Sequence, residues 1–157
     1  MFNIVLFEPE IPQNTGNIAR TCALTETKLH LIEPLGFSIG DKAVKRAGLD
    51  YWDMVDVTAY LDFETFLEEN NDPELYLLTT HGNQNYADIV FKNDDYIMFG
   101  RETAGLPKAI HARYPNKRFR IPMKNHPHAR SLNLANSVNI VLYEALRQNQ
   151  FFNLIKF

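Results

Sequence analysis

The sequence predicts an α/β domain with a mainly parallel sheet flanked by helices. Short apolar runs alternate with helical stretches along nearly the whole chain, and neither a long linker nor a low-complexity segment interrupts them. Residues 75–80 and 96–99 are compact apolar runs, which are typical of strands buried in a parallel sheet. With 157 residues and 45% hydrophobic content, the chain fits one domain with a sizeable core.

The predicted elements begin with a β-rich run at residues 3–7, followed by a helix over 15–26 with Asn14 as its N-cap. Asp62 is expected to cap a helix that reaches residue 70. The other elements are strands at 29–32, 54–58, 75–80 and 96–99, a short basic helix at 41–47, the runs 106–112 and 118–121 that continue the alternation, and a last helix at 132–148.

Several classes of protein are excluded by what the sequence lacks. The N-terminal apolar run is short and has no preceding basic region, and no run approaches the roughly 18 apolar residues of a membrane helix, so we expect a cytoplasmic protein without a signal peptide. Cys22 is the single cysteine and no Cys/His cluster has zinc spacing, so neither an internal disulfide nor a metal site is predicted. The seven glycines allow neither a dinucleotide fingerprint nor a P-loop to be written.

Charge is distributed unevenly along the chain, although the net charge is only −3. Residues 50–102 contain thirteen acidic residues against two basic ones, whereas residues 103–143 contain no acidic residue. The basic residues of that second segment are Lys108, Arg113, Lys117, Arg118, Arg120, Lys124 and Arg130. Such a block is either a solvated face or a binding surface for a polyanion such as RNA or DNA.

Three polar segments lie where strands are expected to meet helices. The first, IPQNTGNIARTC at residues 11–22, places Asn14, Gly16 and Asn17 at a helix start. Arg20 follows one to two turns later. Free backbone N–H groups of a first helical turn favour an anion, and Arg20 can reach a phosphate or a hydroxyl from one side. A helix cap and a surface arginine are the alternative interpretation.

The second segment, YIMFGRETAGLP at residues 96–107, is an apolar strand that ends at Gly100 and turns through Glu102 and Gly105. Ligands of open α/β sheets bind outside the carboxyl ends of strands, where glycine lets the backbone approach a ligand closely. The strand predicted at 75–80 ends similarly in TTHG, which gives a second wall of the same crevice. The alternative is an ordinary loop with two glycines.

The third segment, RSLNLANS at residues 130–137, opens the last predicted helix. Apolar residues recur at three- and four-residue spacing from Leu132 to Leu146, which predicts a buried stripe, and Ser131 is the expected N-cap. Capping and burial leave three polar groups without a structural task. These are Arg130, Asn133 and Asn136.

Taken together and in this order, the three segments resemble the SPOUT superfamily of S-adenosylmethionine-dependent RNA methyltransferases, most closely its small tRNA wobble-position 2′-O-methyltransferases. EPLGF at 33–37 and KRAGLDYWD at 45–53 are similar to that subgroup's own signature. The resemblance implies a single SPOUT domain over residues 1–157, without an appended RNA-binding domain. It also implies a C-terminal deep trefoil knot, an exception to unknotted connections, and a homodimer with the first and last helices packed across the interface.

The resemblance implies S-adenosylmethionine as the methyl donor, S-adenosylhomocysteine as the product, and no metal. In the family the donor lies bent in the knot, held largely by backbone groups of three loops. The residues of this chain that match those loops and are expected to bind the cofactor are Leu78, Thr79, Gly100, Ile121, Met123, Ser131 and Leu132.

Methyl transfer to a ribose requires in-line attack of the 2′-oxygen on the sulfonium methyl group, so alignment supplies much of the catalysis. By resemblance, Arg20 acts at the 2′-oxygen and reaches toward the cofactor of the partner subunit. A guanidinium with a pKa above about 12 is a poor base, so we favour Arg20 as a positioning and stabilising group and leave the base unassigned. The expected supporting residues are Asn14, Glu102, Ser131 and Asn133.

The expected substrate is the anticodon stem-loop of tRNA, with cytidine or a modified uridine at wobble position 34, and neither DNA nor a membrane is an expected partner. Wobble nucleotides are single-stranded, so their bases can stack on an aromatic ring. Tyr51 and Trp52 are candidates, with buried packing as the alternative. Phosphate contacts are expected from Lys42, Lys45, Arg46, Lys117, Arg118, Lys124 and Arg130.

Ala104 and a somewhat long KNHPHA loop at 124–129 depart from the family pattern and bear on the choice of tRNA. Three other interpretations stay open: the same fold methylating another tRNA or rRNA site, a non-catalytic RNA-binding knotted protein, and an unrelated flavodoxin-like domain that binds a phosphorylated ligand. The presence of both Arg20 and Glu102 argues against the non-catalytic alternative.

Overall fold

A computed structural model describes residues 1–40, 42, 46, 51–128 and 130–155. In chain order its strands are β1 (Asn3–Phe7), β2 (Lys28–Ile32), β3 (Val57–Tyr60), β4 (Leu75–Leu78), β5 (Gln84–Asn85), β6 (Tyr96–Phe99) and β7 (Arg118–Arg120). The α-helices bounded within the described ranges are α1 (Pro12–Leu24), α2 (Phe63–Glu69), α3 (Lys108–Arg113) and α4 (Leu134–Gln148). Single 3₁₀ turns lie at Trp52–Met54 and Tyr86–Asp88.

The described strands form a seven-stranded sheet in the order β3-β2-β1-β6-β4-β7-β5, and every pairing between them is parallel. The predicted α/β fold with a mainly parallel sheet is therefore confirmed. β1 pairs with β6 as far as Leu6 and Phe99, and β6 pairs with β4 as far as Leu78. The carboxyl ends of these central strands lie side by side, so the segments that follow them meet at one edge of the sheet, where α/β proteins bind ligands.

Apolar side chains fill both faces of the sheet. Ile4 and Leu6 of β1 pack on the face covered by α1 and α4, whereas Val5 and Phe7 pack on the face covered by α2 and α3. Burial of each such side chain stabilises the fold by about 1.5–3 kcal/mol. The predicted stripe of the last helix is buried at Ala135, Val138, Val141, Leu142, Ala145 and Leu146. Because α1 and α4 cover the same face, their first turns both reach the edge where the central strands end.

The N-cap predicted for the first helix is wrong. α1 begins at Pro12, earlier than expected, and its N-cap position is Ile11, which offers no capping side-chain hydrogen bond among the described residues. Proline suits the first helical turn because it has no N–H group to satisfy. Asn14 therefore lies inside the first turn, where its side chain is available for other contacts.

The N-cap predicted for the last helix is also wrong. α4 begins at Leu134, and its N-cap is Asn133 rather than Ser131. The Asn133 side chain accepts a hydrogen bond from the Asn136 backbone N–H at 3.2 Å. Asparagine is among the best N-cap residues because its short side chain reaches the free N–H groups of the first turn. Asn133 thus has a structural task that the sequence did not reveal.

The remaining boundaries shift by a few residues. Asp62 caps α2 as predicted, because its carboxylate accepts a hydrogen bond from the Thr65 N–H at 2.8 Å. β3 begins at Val57, later than predicted, because the chain first forms the 3₁₀ turn at Trp52–Met54. The short strand β5 was not predicted, since its two exposed polar residues give no apolar signal.

The helix predicted over 41–47 lies outside the described residues except for Lys42 and Arg46, which are helical and exposed. Most of the segment 45–53 lies outside them as well. Within the described ranges, no helix combines the length and the apolar character needed to cross a membrane. The trefoil knot and the extent of the domain stay predictions.

His30 of β2 is buried in the core with both ring nitrogens hydrogen-bonded. Its Nε2 lies 3.1 Å from Asn3 Oδ1, and its Nδ1 lies 2.8 Å from the Tyr60 hydroxyl. Because an amide oxygen only accepts, Nε2 carries the proton in the neutral ring and Nδ1 accepts from Tyr60. Burial, reinforced by the Lys28 ammonium and opposed by the Asp56 carboxylate, lowers the pKa of His30 to about 4.

We expect the stability of the protein to decrease on acidification through His30. Because its folded-state pKa of about 4 lies below the ordinary value of 6.5, the unfolded chain binds the proton first. The contribution is complete above pH 6.5 and is lost as the pH falls towards 4, by up to about 3 kcal/mol. Urea unfolding at a series of pH values measures the loss, and NMR titration of the imidazole identifies its source. A His30 midpoint near 6.5 in the folded protein would contradict this expectation.

Candidate active site

A cavity of about 570 Å³ opens at the carboxyl ends of β4 and β6. Most of its lining comes from three chain segments: the end of β4 with residues 79–81, the turn 100–106 after β6, and residues between 120 and 133 ahead of α4. Ile11 and Asn14 at the start of α1, and the first turn of α4, complete it. Its lining includes every residue predicted to bind the cofactor, namely Leu78, Thr79, Gly100, Ile121, Met123, Ser131 and Leu132. The crevice expected from the two strand ends is present, and the segment before α4 forms its third wall.

The turn after β6 depends on two glycines. Arg101 and Gly105 exchange backbone hydrogen bonds of 3.2 Å and 2.9 Å, so the chain folds back on itself. A Cβ atom at Gly100 would lie 2.3 Å from the carbonyl carbon of Gly105 and 2.4 Å from the nitrogen of Leu106, which requires a residue without a side chain. Gly105 has a φ angle of +66°, in the left-handed region that favours glycine. One wall of the cavity is therefore built from closely packed backbone.

Glu102 in this turn binds the segment between β1 and α1. Its Oε2 accepts a hydrogen bond from the Glu10 N–H at 2.8 Å, and its Oε1 accepts from the Ile11 N–H and the Asn14 side chain, both at 3.1 Å. The carboxylate thereby supplies, from another part of the chain, an acceptor and a negative charge at the N-terminus of α1, where both are stabilising. Because three donors already occupy its oxygens, Glu102 is suited to positioning rather than to proton abstraction.

Asn14 extends this network to α4. Its side chain is buried and its Nδ2 donates to Glu102, which fixes the orientation of the amide. Its Oδ1 then accepts a hydrogen bond from Asn133 Nδ2 at 2.9 Å, while Asn133 caps α4. A chain of hydrogen bonds therefore joins the turn after β6 to the first turns of α1 and α4. Hydrogen bonds thus connect three residues that the sequence analysis assigned to the site, namely Glu102, Asn14 and Asn133.

Two further contacts between the same loops were not predicted. Glu10 accepts hydrogen bonds from the Thr103 N–H at 2.9 Å and from the Thr103 hydroxyl at 2.8 Å, and these bonds lower the pKa of Glu10. Glu8 forms an ion pair with Arg101 at 3.0 Å. The sequence does contain a signal for these contacts. Glu8 and Glu10 follow β1, Arg101 and Thr103 follow β6, and the two strands are neighbours.

Arg20 lies outside this cavity, in an adjoining cleft of about 530 Å³ between α1 and α4. The cavity and the cleft share Asn14 and Asn133 in their walls. The guanidinium carbon of Arg20 lies 4.7 Å from the ring centre of Tyr51, which is a cation–π contact. Tyr51, expected either to stack on RNA or to pack within the fold, is thus engaged with Arg20.

A histidine pair that the sequence did not single out lies beside the predicted cofactor residue Thr79. His111 Nε2 lies 3.1 Å from the Thr79 hydroxyl oxygen, which also accepts a hydrogen bond from the His81 backbone N–H at 3.2 Å. Burial, reinforced by the neighbouring His81 and Arg118, lowers the pKa of His111. Isolated histidines carry no motif, and only the fold shows that these two meet.

The basic residues predicted to contact RNA differ in how strongly they are held. Lys117 forms an ion pair with Glu74 at 2.6 Å, and Arg118 donates to the Pro115 carbonyl oxygen at 3.3 Å. The exposed members of the set are Lys42, Arg46, Lys124 and Arg130, of which Arg130 also lines the cavity. Lys45 lies outside the described residues.

The chain matches the model of the SpoU rRNA Methylase family over residues 1–143. The tRNA (cytidine(34)-2′-O)-methyltransferase of Escherichia coli (strain K12) is 50% identical over 149 residues, which cover 94% of this chain and 94% of that protein. A solved structure described as giving insights into the 2-OH methylation of C/U34 on tRNA is 42% identical, with a TM-score of 0.90 over 96% of this chain and 97% of the other. The AdoMet-bound rRNA methyltransferase of Sinorhizobium meliloti is 25% identical, with a TM-score of 0.82 over 93% of this chain and 56% of the other.

The family match takes in the ends of β4 and β6, the segment before α4 and most of α4 itself, so it includes all three walls of the cavity. The E. coli relative and the solved structures extend the likeness over nearly the full length of this chain. Sequence and fold thus agree that the chain belongs to the SpoU rRNA Methylase family.

Proposed function

We propose that this chain transfers a methyl group from S-adenosylmethionine to the ribose 2′-hydroxyl of nucleotide 34 in the anticodon loop of tRNA, where that nucleotide is cytidine or a modified uridine. The observation that carries the proposal is a relative of nearly equal length, 50% identical over 149 residues, whose name states 2′-O-methylation of cytidine 34 in tRNA. The gathering of all seven matched cofactor residues around one cavity supports it independently.

The cavity suits S-adenosylmethionine in size and lining. Its volume of about 570 Å³ is typical of small-molecule sites, and AdoMet is bound in the S. meliloti relative. The apolar side chains of Leu78, Ile121 and Leu132 would hold the apolar parts of the donor, and the backbone of the turn 100–106 and the Ser131 hydroxyl would bind its polar groups. When bound, S-adenosylmethionine supplies an electrophilic methyl group on a sulfonium centre.

Arg20 positions the attacking oxygen in the proposed reaction. A guanidinium retains its protons in proteins, so Arg20 donates hydrogen bonds to the 2′-oxygen and stabilises the negative charge that develops as the hydroxyl proton leaves. Since attack must be in line with the bond that breaks, holding the oxygen in place contributes a large share of the rate enhancement. The Tyr51 ring packs against the guanidinium of Arg20, which lines the cleft together with Asn14 and Asn133.

Glu102, Asn14 and Asn133 serve this reaction by holding the two helix starts together. Their side chains are already hydrogen-bonded to one another or to backbone N–H groups, so they provide a rigid wall and not a proton acceptor. The acceptor of the hydroxyl proton is then an RNA phosphate or a water molecule. Ser131 lies two residues before Asn133 and lines the cavity. It can therefore contact both the methyl donor and the ribose that accepts the methyl group.

We further propose that the anticodon stem-loop binds across the basic segment 113–130 and the cluster that contains Lys42 and Arg46. Lys124 and Arg130 are exposed, and Arg130 reaches the rim of the cavity. Contacts of this kind release counterions from phosphates, so tRNA affinity should fall as the salt concentration rises. The proposed location of the enzyme is the cytoplasm.

The proposed assembly is a homodimer that packs α1 and α4 across the interface. Exposed apolar side chains lie on both helices: Leu24 is 52% exposed, Ile140 38% and Tyr143 50%. Ile140 and Tyr143 are three residues apart and share a face of α4, and such exposed apolar groups are typical of association surfaces. In this assembly Arg20 would serve the cavity of the partner subunit.

Incubation with labelled S-adenosylmethionine and bulk tRNA, followed by nucleoside analysis, tests the proposed function. We expect 2′-O-methylated nucleotide 34 with the wild-type protein. Arg20→Ala should reduce transfer about 100-fold or more, because a group that stabilises developing charge is lost. Its affinity for S-adenosylhomocysteine, measured by calorimetry, should be unchanged. Wild-type protein that binds the cofactor but modifies no tRNA would favour the non-catalytic alternative, and lost cofactor binding in a folded Arg20→Ala variant would overturn the role of Arg20.

Tyr51 offers a matched pair of variants for the contact with Arg20. Tyr51→Leu removes the aromatic face, so we expect kcat to fall about two- to fivefold, which corresponds to about 0.5–1 kcal/mol. Tyr51→Phe keeps the ring and should retain kcat. Steady-state kinetics with tRNA as the varied substrate distinguish this role from base stacking. A raised KM for tRNA with unchanged kcat in Tyr51→Leu would show that the ring serves RNA instead.

The proposed dimer is tested by placing a charge on the exposed face of α4. Ile140→Glu should shift the protein from twice the 18.2 kDa chain mass to a monomer, because a carboxylate cannot be buried in the interface without a partner. Ile155→Glu is the matched control, since Ile155 is 90% exposed and lies outside both helices. Light scattering coupled to size exclusion measures the mass. An Ile140→Glu protein that stays dimeric would place the interface elsewhere.

A further inference from the structure

His111 contacts the wall of the cofactor cavity without lining the cavity itself. It lies half-buried in the last turn of α3. Its Nε2 is 3.1 Å from the hydroxyl oxygen of Thr79, a residue that does line the cavity at the end of β4. The imidazole therefore reaches the cofactor cavity through one residue of its wall.

The side chain of Thr79 is held in place by His111. The Thr79 backbone is anchored separately, because its N–H donates to the Phe119 carbonyl oxygen at 2.9 Å and its carbonyl oxygen accepts from the Gly82 N–H at 3.0 Å. Its hydroxyl oxygen accepts from the His81 N–H at 3.2 Å, which is a local contact two residues along the chain. Among the described residues that hydrogen-bond to this hydroxyl, His111 is the one from a distant segment. Because a β-branched side chain has few χ1 positions, these contacts decide which groups of Thr79 face the cavity.

The hydrogen bond between His111 and Thr79 also joins two walls of the cavity. The turn 100–106, which forms the wall after β6, runs directly into α3. α3 is firmly supported, because Ile110 is buried in the same core cluster as Leu106. A bond from α3 to Thr79 therefore fixes the end of β4 relative to the turn after β6.

A second contact of His111 is the alternative explanation for its position. Its ring packs against the ring of His81 in an edge-to-face arrangement, with the ring centres 5.7 Å apart. The hydrogen bond to Thr79 is directional and so sets a position, whereas His81 is exposed and can adjust to a neighbour. The two contacts are separable, since one needs a polar atom where Nε2 lies and the other needs an aromatic ring.

We propose that His111 is a positioning residue for the methyl donor, which holds Thr79 in the orientation that binds S-adenosylmethionine, a proposal that rests on the proposed function. His111 acts through Thr79 and does not touch the reacting atoms. It therefore affects the binding of the donor, and neither the binding of tRNA nor the rate at saturating donor depends on it.

His111→Phe and His111→Gln separate the hydrogen bond from the ring contact. Phenylalanine keeps a ring beside His81 but has no polar atom, so KM for S-adenosylmethionine and Kd for S-adenosylhomocysteine should rise about three- to tenfold, as expected for one lost hydrogen bond. Glutamine loses the ring but carries an amide that donates or accepts at a similar reach, so it should restore both constants to within about twofold of wild type. Steady-state kinetics and calorimetry measure these constants. KM for tRNA and kcat should be unchanged in both variants.

Thr79→Val tests the same contact from the other partner. Valine keeps the shape of threonine without the hydroxyl, so we expect at least the loss of affinity seen in His111→Phe. The double variant Thr79→Val/His111→Phe should bind S-adenosylhomocysteine no more weakly than Thr79→Val alone, because the two residues act as one contact. A double variant that shows both single losses in full would mean that His111 does not act through Thr79.

Urea unfolding of each variant establishes that the compared proteins are folded. The reverse order, with affinity retained in His111→Phe and lost in His111→Gln, would assign the effect to ring packing and overturn the positioning role. So would a change in KM for tRNA or in kcat without a change in KM for the donor. If His111→Phe does not fold, Thr79→Val decides, since unchanged affinity in that variant overturns the role as well. Wild-type protein that does not bind S-adenosylhomocysteine would instead refute the proposed function itself.

Discussion

The Glu102 carboxylate holds together the segments from which the site is built. It accepts hydrogen bonds from two backbone N–H groups at the start of α1 and from the Asn14 side chain. Asn14 in turn accepts a hydrogen bond from the Asn133 side chain at the start of α4. Without the carboxylate, the buried Asn14 amide would lose an acceptor, at a cost of about 1–3 kcal/mol for a buried group. The order of the network therefore depends on one anion supplied by the turn after β6.

The parallel sheet brings the turn after β6 close to the start of α1. Because β1 and β6 are neighbours with the same direction, the segments that follow them leave the sheet side by side. The contacts of Glu8, Glu10 and Glu102 therefore join residues that are about ninety positions apart in sequence. The glycines of the turn let its backbone close on itself, so the carboxylate is presented from a rigid support.

The parts of the fold that follow from local pattern were predictable from the sequence. The compact runs at 75–80 and 96–99 predicted buried parallel strands, which the structure has. The seven residues that the resemblance predicts to bind the cofactor line one cavity. The helix starts were not predictable, because Ser131 and Asn133 are both good caps and the choice depends on where the incoming chain turns. Contacts such as that of Arg20 with Tyr51 join segments whose approach is set by the tertiary fold, so no sequence periodicity reports them.

Asn14 and Asn133 show how a structural and a functional role coincide in one pair of side chains. Asn14 was expected to cap a helix and does not, and Asn133 was expected to have no structural task and is itself a cap. The two amides also bind each other, in the wall that the cavity shares with the cleft between α1 and α4. Methyl transfer demands alignment of donor and acceptor to a fraction of an ångström, and this wall is where the two would meet. The hydrogen bonds that Asn14 forms with Glu102 and Asn133 thus lie where the proposed reaction tolerates the least movement.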